Sequence, residues 1–223
     1  MGVKCYICGS NTGKISLMHT KPFSWQVAWY FPSFRIKLIA GSVLLIGIFL
    51  YIPSFFNRIE QRQGIHLNDW VLTKIPAVDV SFFIFLTLYA TVALCLFRMS
   101  NNAKTCLTSI WTFLFLCLLR MVTITLVPLN PPTGIIALAD PCSVMFYRSH
   151  IITKDLFFSG HTATLFIAGL CMEKKMDKVI AFSAAGIIGL LLLMQHVHYT
   201  ADVLAAPVFS WICWFLGKSV SKL

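Results

Sequence analysis

The sequence predicts an all-α, polytopic membrane protein with six transmembrane helices. Two compositional observations support this prediction: 58% of the 223 residues are hydrophobic, and only 12% are charged. Soluble domains usually carry about 25% charged residues. The third observation is that the apolar residues occur in long blocks, which is typical of helices surrounded by lipid.

Six of these blocks are candidate spans, because roughly 20 residues at about 1.5 Å each cross the hydrocarbon core of a bilayer. They cover residues 36–56, 77–97, 104–128, 156–172, 178–197 and 200–217. The fourth block is short and begins with polar residues. The fifth and sixth are nearly continuous, and the polar cluster at residues 195–200 is where a tight turn is predicted to separate them. The prediction is one membrane domain, residues 36–217, between a cytosolic N-terminal tail, 1–35, and a cytosolic C-terminal tail, 218–223.

The Lys and Arg residues predict the orientation. A formal net charge of +10 could indicate nucleic-acid binding, but membrane proteins concentrate Lys and Arg in cytoplasmic loops. With both termini in the cytoplasm, twelve of the 18 Lys and Arg residues fall on the inner side and five on the outer side, with Arg120 inside the third block. No nucleic-acid partner is therefore expected. The short loops favour a bacterial inner membrane over a Golgi membrane.

This topology places ionisable residues from four parts of the sequence at the outer face. Asp155 and His161 lie where the fourth block begins, His198 lies in the predicted turn, and Asp202 starts the sixth block. Arg120 lies in the outer half of the third block. Ionisable residues within spans are energetically costly and usually mark a function, so this convergence predicts a functional site at the outer leaflet.

The residue types indicate phosphate chemistry. His198 and Asp202 are four residues apart, so they share one helix face and can hydrogen-bond. A carboxylate that fixes one imidazole nitrogen leaves the other free to attack or to accept a proton. His161 is a second imidazole, able to protonate a leaving group. The planar guanidinium of Arg120 suits phosphate, and together these groups indicate phosphoryl transfer on a lipid headgroup.

Three further residues are predicted to bind substrate. Ser159 and Gly160, near the start of a helix, offer a hydroxyl and backbone N–H groups that suit an anion. The outer loop 129–155 is the longest connection between spans, and long loops are often functional. We expect it to cap the site and to bring Lys154 near a phosphate. The proposed chemistry needs no metal or other cofactor, because Arg120 and backbone donors can stabilise the phosphoryl charge.

Each feature also has a structural interpretation. A His–Asp pair within a membrane can be a structural hydrogen bond or part of a proton path, and Arg120 alone could snorkel to the interface. His196 is two residues from His198 and so points elsewhere on a helix; we expect it to support the structure. Cys5 and Cys8 could form half of a zinc site, but no second pair follows nearby, which favours reduced thiols.

Three segments carry a family resemblance. Residues 155–162, DLFFSGHT, and 196–203, HVHYTADV, resemble the two catalytic motifs of the sphingomyelin synthase-like branch of the type-2 phosphatidic acid phosphatase (PAP2) superfamily. Residues 120–132, RMVTITLVPLNPP, resemble the Arg-x-x-Thr…Pro segment of that branch. The resemblance covers all six blocks in order, and it implies a six-helix core with its site on the exoplasmic face.

The resemblance also implies roles for individual residues. His198 matches the nucleophile, Asp202 its orienting partner and His161 the acid/base residue, while Arg120 and Asp155 match polar positions around the headgroup. Tyr199 lies inside the second motif, and we expect it to bind substrate. In the superfamily a phosphohistidine forms and is resolved by water or, in the transferases, by a lipid hydroxyl.

The sequence departs from the superfamily's phosphatases and from the animal synthases. Leu191 and Leu192 stand where the phosphatases carry a Ser-Arg pair, which weakens a plain phosphatase interpretation. Residues 153–154, Thr-Lys, replace a Cys-Gly pair of the animal synthases, and Ala-Pro at 206–207 replaces expected aromatic and His positions. These differences allow a headgroup donor other than phosphatidylcholine.

The leading functional hypothesis is a membrane lipid phosphotransferase. It would move a phospho-headgroup from a glycerophospholipid donor to a ceramide or diacylglycerol-like acceptor. One alternative is a lipid phosphate phosphatase with water as acceptor, and another is a non-catalytic membrane scaffold or transporter. The sequence predicts no oligomeric state, because no helix face carries a clear small-xxx-small pattern.

Overall fold

A computed structural model describes residues 24–138 and 152–222 of the chain. Within these ranges the protein is all helical, as predicted, apart from one isolated bridge between Ile65 and Leu129. A short 3-10 helix spans Leu72–Lys74. The α-helices are α1 (Trp25–Trp29), α2 (Pro32–Gln61), α3 (Ser81–Asn101), α4 (Ala103–Leu126), α5 (Gly160–Cys171), α6 (Lys175–Met194) and α7 (Thr200–Val220).

Five of the described helices, α2, α3, α4, α6 and α7, are long and apolar enough to cross a membrane. The fourth predicted span, 156–172, is shorter than expected: α5 has 12 residues, which gives it a length of about 18 Å against the roughly 30 Å of a hydrocarbon core. Its first residues are not helical because Phe157 has a φ of 60° and Ser159 caps the helix after them. The count of six full spans is therefore not confirmed.

The break between the last two helices is where the sequence placed it. Helix α6 ends at Met194 and α7 begins at Thr200, so the predicted turn at 195–200 is confirmed. His196, within this turn, has a φ of 55°, a left-handed conformation that is uncommon for a residue with a side chain. The turn is therefore a specific backbone structure that separates two helices, and α6 and α7 are not one long helix with an unwound middle.

The connection between α3 and α4 is a single residue, Asn102. Its side-chain oxygen accepts hydrogen bonds from the backbone N–H groups of Lys104 and Thr105, at 3.0 and 3.2 Å, which caps α4. Its side-chain nitrogen donates to Glu173, at 3.0 Å, and so ties this elbow to the connection between α5 and α6.

Helices α4 to α7 form the interior of the bundle. The most extensive contacts join α4 to α7 and α5 to both α6 and α7, while α2 packs mainly on α4, and α3 on α4 and α6. Gly217 permits the close approach of α7 to α4, because a Cβ atom there would lie 2.6 Å from the backbone nitrogen of Thr112. In the most apolar stretch of α2 only 11% of the residues are buried, whereas 44% are buried in the corresponding stretch of α6. Helix α2 is therefore a peripheral helix with much apolar surface exposed.

The bundle has two chemically different ends. At one end, which we call the basic end, Arg98 forms a bidentate ion pair with Asp177 at 2.6 and 3.0 Å, close to the Asn102 elbow. The other end, which we call the site end, holds the C-terminus of α4, the segment 152–159 and the 195–199 turn. The residues predicted to be functional lie at the site end.

Candidate active site

The His198–Asp202 pair forms as the spacing predicts. Nδ1 of His198 lies 3.3 Å from Oδ2 of Asp202, and the same oxygen accepts a hydrogen bond from the backbone N–H of Tyr199 at 3.2 Å. Both side chains are buried, with 3% exposure for His198 and none for Asp202. If Nδ1 carries the proton that Asp202 accepts, Nε2 presents its lone pair.

Arg120 is held inside the site end by protein groups. Its guanidinium donates to the carboxylate of Asp155 and to the backbone carbonyl of Phe158, and its Cζ lies 5.2 Å from the centre of the Phe158 ring. The side chain is 11% exposed, so the guanidinium does not extend into bulk water as a snorkelling side chain would. The Arg120–Asp155 pair links α4 to the segment that leads into α5.

Gly160 is the residue that makes room for Arg120. A Cβ atom at position 160 would lie 2.8 Å from Cζ of Arg120, a distance that would displace the guanidinium. His161 follows Gly160 in the first turn of α5 and is half-buried. The glycine before the histidine in the first motif therefore has a steric reason. Only a residue without a side chain leaves space for the guanidinium of Arg120 at this position.

Ser159 fixes the start of α5 and joins the two motifs. Its hydroxyl accepts a hydrogen bond from the backbone N–H of Thr162 at 3.3 Å, as expected for an N-cap residue. Its own backbone N–H donates to the carbonyl of Asp202 at 3.0 Å. This bond connects the first motif directly to the second, and it brings the N-terminus of α5 beside the first turn of α7.

Lys154 contacts the C-terminal end of α2. Its ammonium donates to the backbone carbonyls of Glu60 and Arg62, at 2.8 and 2.5 Å. The carboxylate of Glu60 in turn accepts from the backbone N–H groups of Thr153 and Lys154, both at 2.7 Å. Sequence reasoning did not identify Glu60, because 93 residues separate it from Thr153 and no local pattern pairs the two.

Tyr199 connects loops at the site end. Its hydroxyl donates to the carbonyl of Asn130 at 3.0 Å and accepts from the backbone N–H of Leu67 at 3.2 Å. Burial raises the pKa of Tyr199 above its usual value, which keeps the hydroxyl protonated as a donor. Its side chain therefore fixes two loops around the second motif.

Asp69 is a further residue that sequence reasoning did not identify. Its carboxylate accepts from the backbone N–H of Thr200 at 2.6 Å and from the Thr200 hydroxyl at 3.1 Å. Burial alone would raise the pKa of Asp69, but hydrogen bonds from Thr200, Leu72 and Val71 outweigh it and lower the pKa. Asp69 thus anchors the start of α7, the helix that carries Asp202.

His196 has a structural role, as expected from the sequence. Its Nδ1 faces the carbonyl of Thr133 at 3.1 Å, and its Nε2 faces the carbonyl of Ile75 at 2.9 Å. The ring therefore lies between the segment after α4 and the segment before α3. A single side chain holds both segments against the turn that carries His198.

No group of three or more His, Cys, Asp or Glu residues in the described part of the chain is arranged to hold a metal ion. Cys5 and Cys8 lie outside the described residues, as does most of the C-terminal half of the outer loop 129–155.

Comparison with known families finds a match in the C-terminal part of the chain. A family model described as "PAP2 superfamily C-terminal" matches residues 154–219. The match supports membership of the PAP2 superfamily. It includes the first motif, the 195–199 turn and the His198–Asp202 pair, whereas Arg120 lies outside it. Superfamily membership indicates phosphatase or phosphotransferase activity on lipid-like substrates, and the apolar helices are consistent with a membrane protein.

No curated protein and no solved structure matches the chain.

Proposed function

We propose that the protein is a membrane lipid phosphotransferase of the sphingomyelin synthase-like branch. It moves a phospho-headgroup from a glycerophospholipid donor to the hydroxyl of a ceramide or diacylglycerol-like acceptor. The observation that supports this most directly is the buried His198–Asp202 pair, in which Asp202 engages Nδ1 and leaves Nε2 available. This pair lies at the same end of the bundle as Arg120 and the start of α5.

In the first step, Nε2 of His198 attacks the phosphorus of the donor lipid. The P–O bond to the diradylglycerol breaks, and His161 in its protonated form donates a proton to the leaving oxygen. The phospho-headgroup is then held by a P–N bond to His198. Asp202 stabilises the positive charge that develops on the imidazole ring.

In the second step, neutral His161 accepts the proton of the acceptor hydroxyl. The acceptor oxygen attacks the phosphorus, and the P–N bond breaks to restore His198. Both steps pass through a crowded phosphorus centre whose equatorial oxygens gain negative charge. Arg120 and the backbone N–H groups of the first turn of α5 are suited to bind those oxygens.

The burial of His198 favours transfer over hydrolysis. The side chain is 3% exposed, so bulk water has little access to a phospho-headgroup attached there. Hydrolysis remains the second candidate function, because the match to the PAP2 superfamily C-terminal model does not separate phosphatases from phosphotransferases.

Mass spectrometry of reaction products tests the proposal. The purified full-length protein is incubated in mixed micelles with ceramide, diacylglycerol, phosphatidic acid and the common phospholipids. A new phospholipid that forms with the wild type and not with His198→Ala identifies a transferase together with its donor and acceptor. The matched control is His66→Ala, an exposed histidine in the loop after α2, which should leave the product unchanged.

Two other results would overturn the proposal. Release of phosphate or of a water-soluble headgroup without a new lipid would identify a hydrolase. If His198→Ala and His161→Ala leave every headgroup reaction unchanged, the site is not catalytic, and a scaffold or transporter becomes the better interpretation.

A further inference from the structure

A cavity of about 370 Å³ lies between helices α2, α3, α4 and α5, on the basic-end side of the catalytic residues. Its walls are almost entirely apolar, with Leu45 and Phe49 from α2, and Val92 and Met99 from α3. The volume is within the range of roughly 300 to 1,000 Å³ that small-molecule pockets occupy. A cavity of this size and polarity suits a hydrocarbon ligand.

The cavity continues the helix faces that carry the catalytic residues. On α5, His161 is followed at intervals of three, four and three residues by Thr164, Ala168 and Cys171, all three of which line the cavity. Residues at this spacing lie on one face of a helix. The face of α5 that presents His161 at the site end therefore becomes a cavity wall farther along.

Helix α4 shows the same continuity. Ser109 and Phe113 line the cavity, and they precede Arg120 by eleven and seven residues, a spacing that returns to the same side of the helix. At about 1.5 Å per residue, these two positions lie roughly 16 and 10 Å from Arg120 along the helix axis. The cavity thus begins about two to three helical turns below the predicted phosphate-binding residue.

The arrangement of α2 and α3 leaves a lateral opening. Both helices pack on α4 but make little contact with each other, so the cavity lies between two peripheral helices that are largely exposed. In a bilayer that exposed surface meets lipid hydrocarbon, and a chain of the same chemistry can enter between α2 and α3 without desolvating a polar group.

We propose that this cavity binds one hydrocarbon chain of the lipid substrate while the phosphate of that lipid lies at Arg120 and His161. The inference rests on the proposed function and names its substrate class: a phospholipid with a long chain that runs alongside α4 and α5, and not a soluble phosphate ester. The site recognises the substrate at both ends, by charge at the phosphate and by apolar contact within the cavity.

Ser109→Leu is the variant that tests the cavity. The hydroxyl of Ser109 is buried without a full-strength hydrogen bond and faces the thiols of Cys95 and Cys171, which are weak partners, so an apolar replacement need not destabilise the fold. The added side-chain volume fills part of the cavity. Ser183→Leu, the same substitution at an exposed position of α6, is the matched control.

The first readout is the chain-length dependence of turnover. Phosphatidic acid, phosphatidylcholine and phosphatidylethanolamine are each supplied in dioleoyl and dihexanoyl form. Ser109→Leu is expected to lower kcat/KM for the dioleoyl lipid by about tenfold or more, because methylene groups are excluded from apolar contact. It should leave the dihexanoyl lipid nearly unchanged, and Ser183→Leu should change neither. Phe113→Ala, which enlarges the cavity, should raise the relative kcat/KM for a branched phytanoyl lipid.

The second readout does not require activity. Phosphatidic acid with a diazirine at the end of one acyl chain is cross-linked to the full-length protein, and the modified residues are mapped. Cross-links at Thr164 or Cys171 that are lost in Ser109→Leu and kept in Ser183→Leu support the inference. Their absence from the wild type overturns it.

The two proposals fail in different ways. If no lipid is turned over in a His198-dependent manner, the proposed function fails, and the cross-links still decide whether a hydrocarbon chain occupies the cavity. If turnover depends on His198 but Ser109→Leu lowers kcat/KM equally for both chain lengths, or for neither, the cavity inference fails alone. Loss of the cross-link without a chain-length effect would mean that an unrelated bilayer lipid fills the cavity, which also overturns it.

Discussion

At the scale of single residues, Arg120 has a geometry that a lysine would not reproduce. Its guanidinium donates to a carboxylate and to a backbone carbonyl three residues apart on the segment that leads into α5, and it lies against Gly160. A planar group with five donors can hold these two acceptors and still present N–H groups to a phosphate. An ammonium has three donors on a single nitrogen and cannot span the same positions.

We therefore expect Arg120→Lys to lower kcat by about 100-fold or more, since loss of one preorganised donor to a developing oxyanion has that effect. Steady-state kinetics with the identified lipid donor measure the change. Arg58→Lys, at the same end of the bundle in α2, serves as the control and should retain activity. Activity near the wild-type level in Arg120→Lys would mean that Arg120 serves the fold alone.

The proposed roles of His161 and His198 require opposite protonation states at the start of the reaction. One imidazole must be neutral to attack, and the other must carry a proton to donate. The profile of kcat/KM against pH should therefore be bell-shaped, with a loss of activity on both sides between about pH 5 and 9. A flat profile over that range contradicts paired histidine catalysis. The profile of His66→Ala should match that of the wild type.

At the scale of structural elements, Glu60 positions the segment that precedes α5. Its carboxylate accepts two backbone N–H groups and the hydroxyl of Thr153, at 2.7, 2.7 and 3.0 Å. The next residue along the chain, Asp155, pairs with Arg120. Glu60 therefore acts on Arg120 through this segment and has no direct part in the chemistry.

Glu60→Ala should lower kcat by about tenfold or more, because misplacement of a catalytic group by about 1 Å can cost that much or more. Glu60→Gln keeps an acceptor oxygen and should recover part of the activity. Glu173→Ala, at the basic end, should change kcat little. If Glu60 has only a structural role, Glu60→Ala should unfold at a lower temperature than the wild type, and the protein that remains folded should keep the wild-type kcat.

Asp69 stabilises the start of α7, and its contribution depends on pH. Its pKa is lower in the folded protein than in the unfolded chain, where Asp titrates near about 3.9. The stabilisation is therefore complete above that value and is lost as the pH falls through the folded pKa. Thermal unfolding in detergent should show Asp69→Asn to be less stable than the wild type at neutral pH, because a neutral amide accepts weaker hydrogen bonds than a carboxylate.

The difference between Asp69→Asn and the wild type should shrink as the pH falls below about 3.9 and through the lowered pKa of Asp69, because protonation removes the charge of the carboxylate. Asp79→Asn, which removes a charge from an exposed residue before α3, should have a smaller effect at neutral pH. Equal unfolding midpoints for Asp69→Asn and the wild type at neutral pH would contradict a stabilising role of Asp69.

At the scale of the whole molecule, the predicted orientation can be measured directly. Gln63 is exposed at the site end and Asn101 is exposed at the basic end. In intact cells, a membrane-impermeant maleimide should label Gln63→Cys and should label Asn101→Cys only after lysis. The wild-type protein, with its native cysteines, gives the background. The reverse pattern would place the candidate site on the cytoplasmic face.

Much of the fold was predictable because its signals are local. Long apolar blocks predicted the helices, and the polar cluster predicted the 195–199 turn. The four-residue spacing predicted the His198–Asp202 pair. The shortened α5 was not predictable in this way. Residues 156–158 are as apolar as a helix interior, yet Phe157 adopts a left-handed conformation and Phe158 directs its carbonyl to Arg120. A contact with a distant segment overrides the local preference there.

The supporting residues of the site were missed for the same reason. Glu60 and Asp69 each bind backbone groups more than 90 residues away in sequence, and a lone acidic residue in a loop carries no pattern that predicts such a partner. The two candidate motifs could be identified because the residues of each motif are close in sequence. The groups that hold the motifs in place become visible only when the chain is folded.

The single-residue elbow at Asn102 has a consequence for how the protein enters its membrane. With no loop between them, α3 and α4 cannot be threaded separately into the bilayer with a stretch of hydrated chain between them. The chain must turn back at one membrane surface within a single residue, and Arg98 and Lys104 stay together on that side. The antiparallel direction of these two helices is then fixed at this joint, before the segments that carry the candidate site have been synthesised.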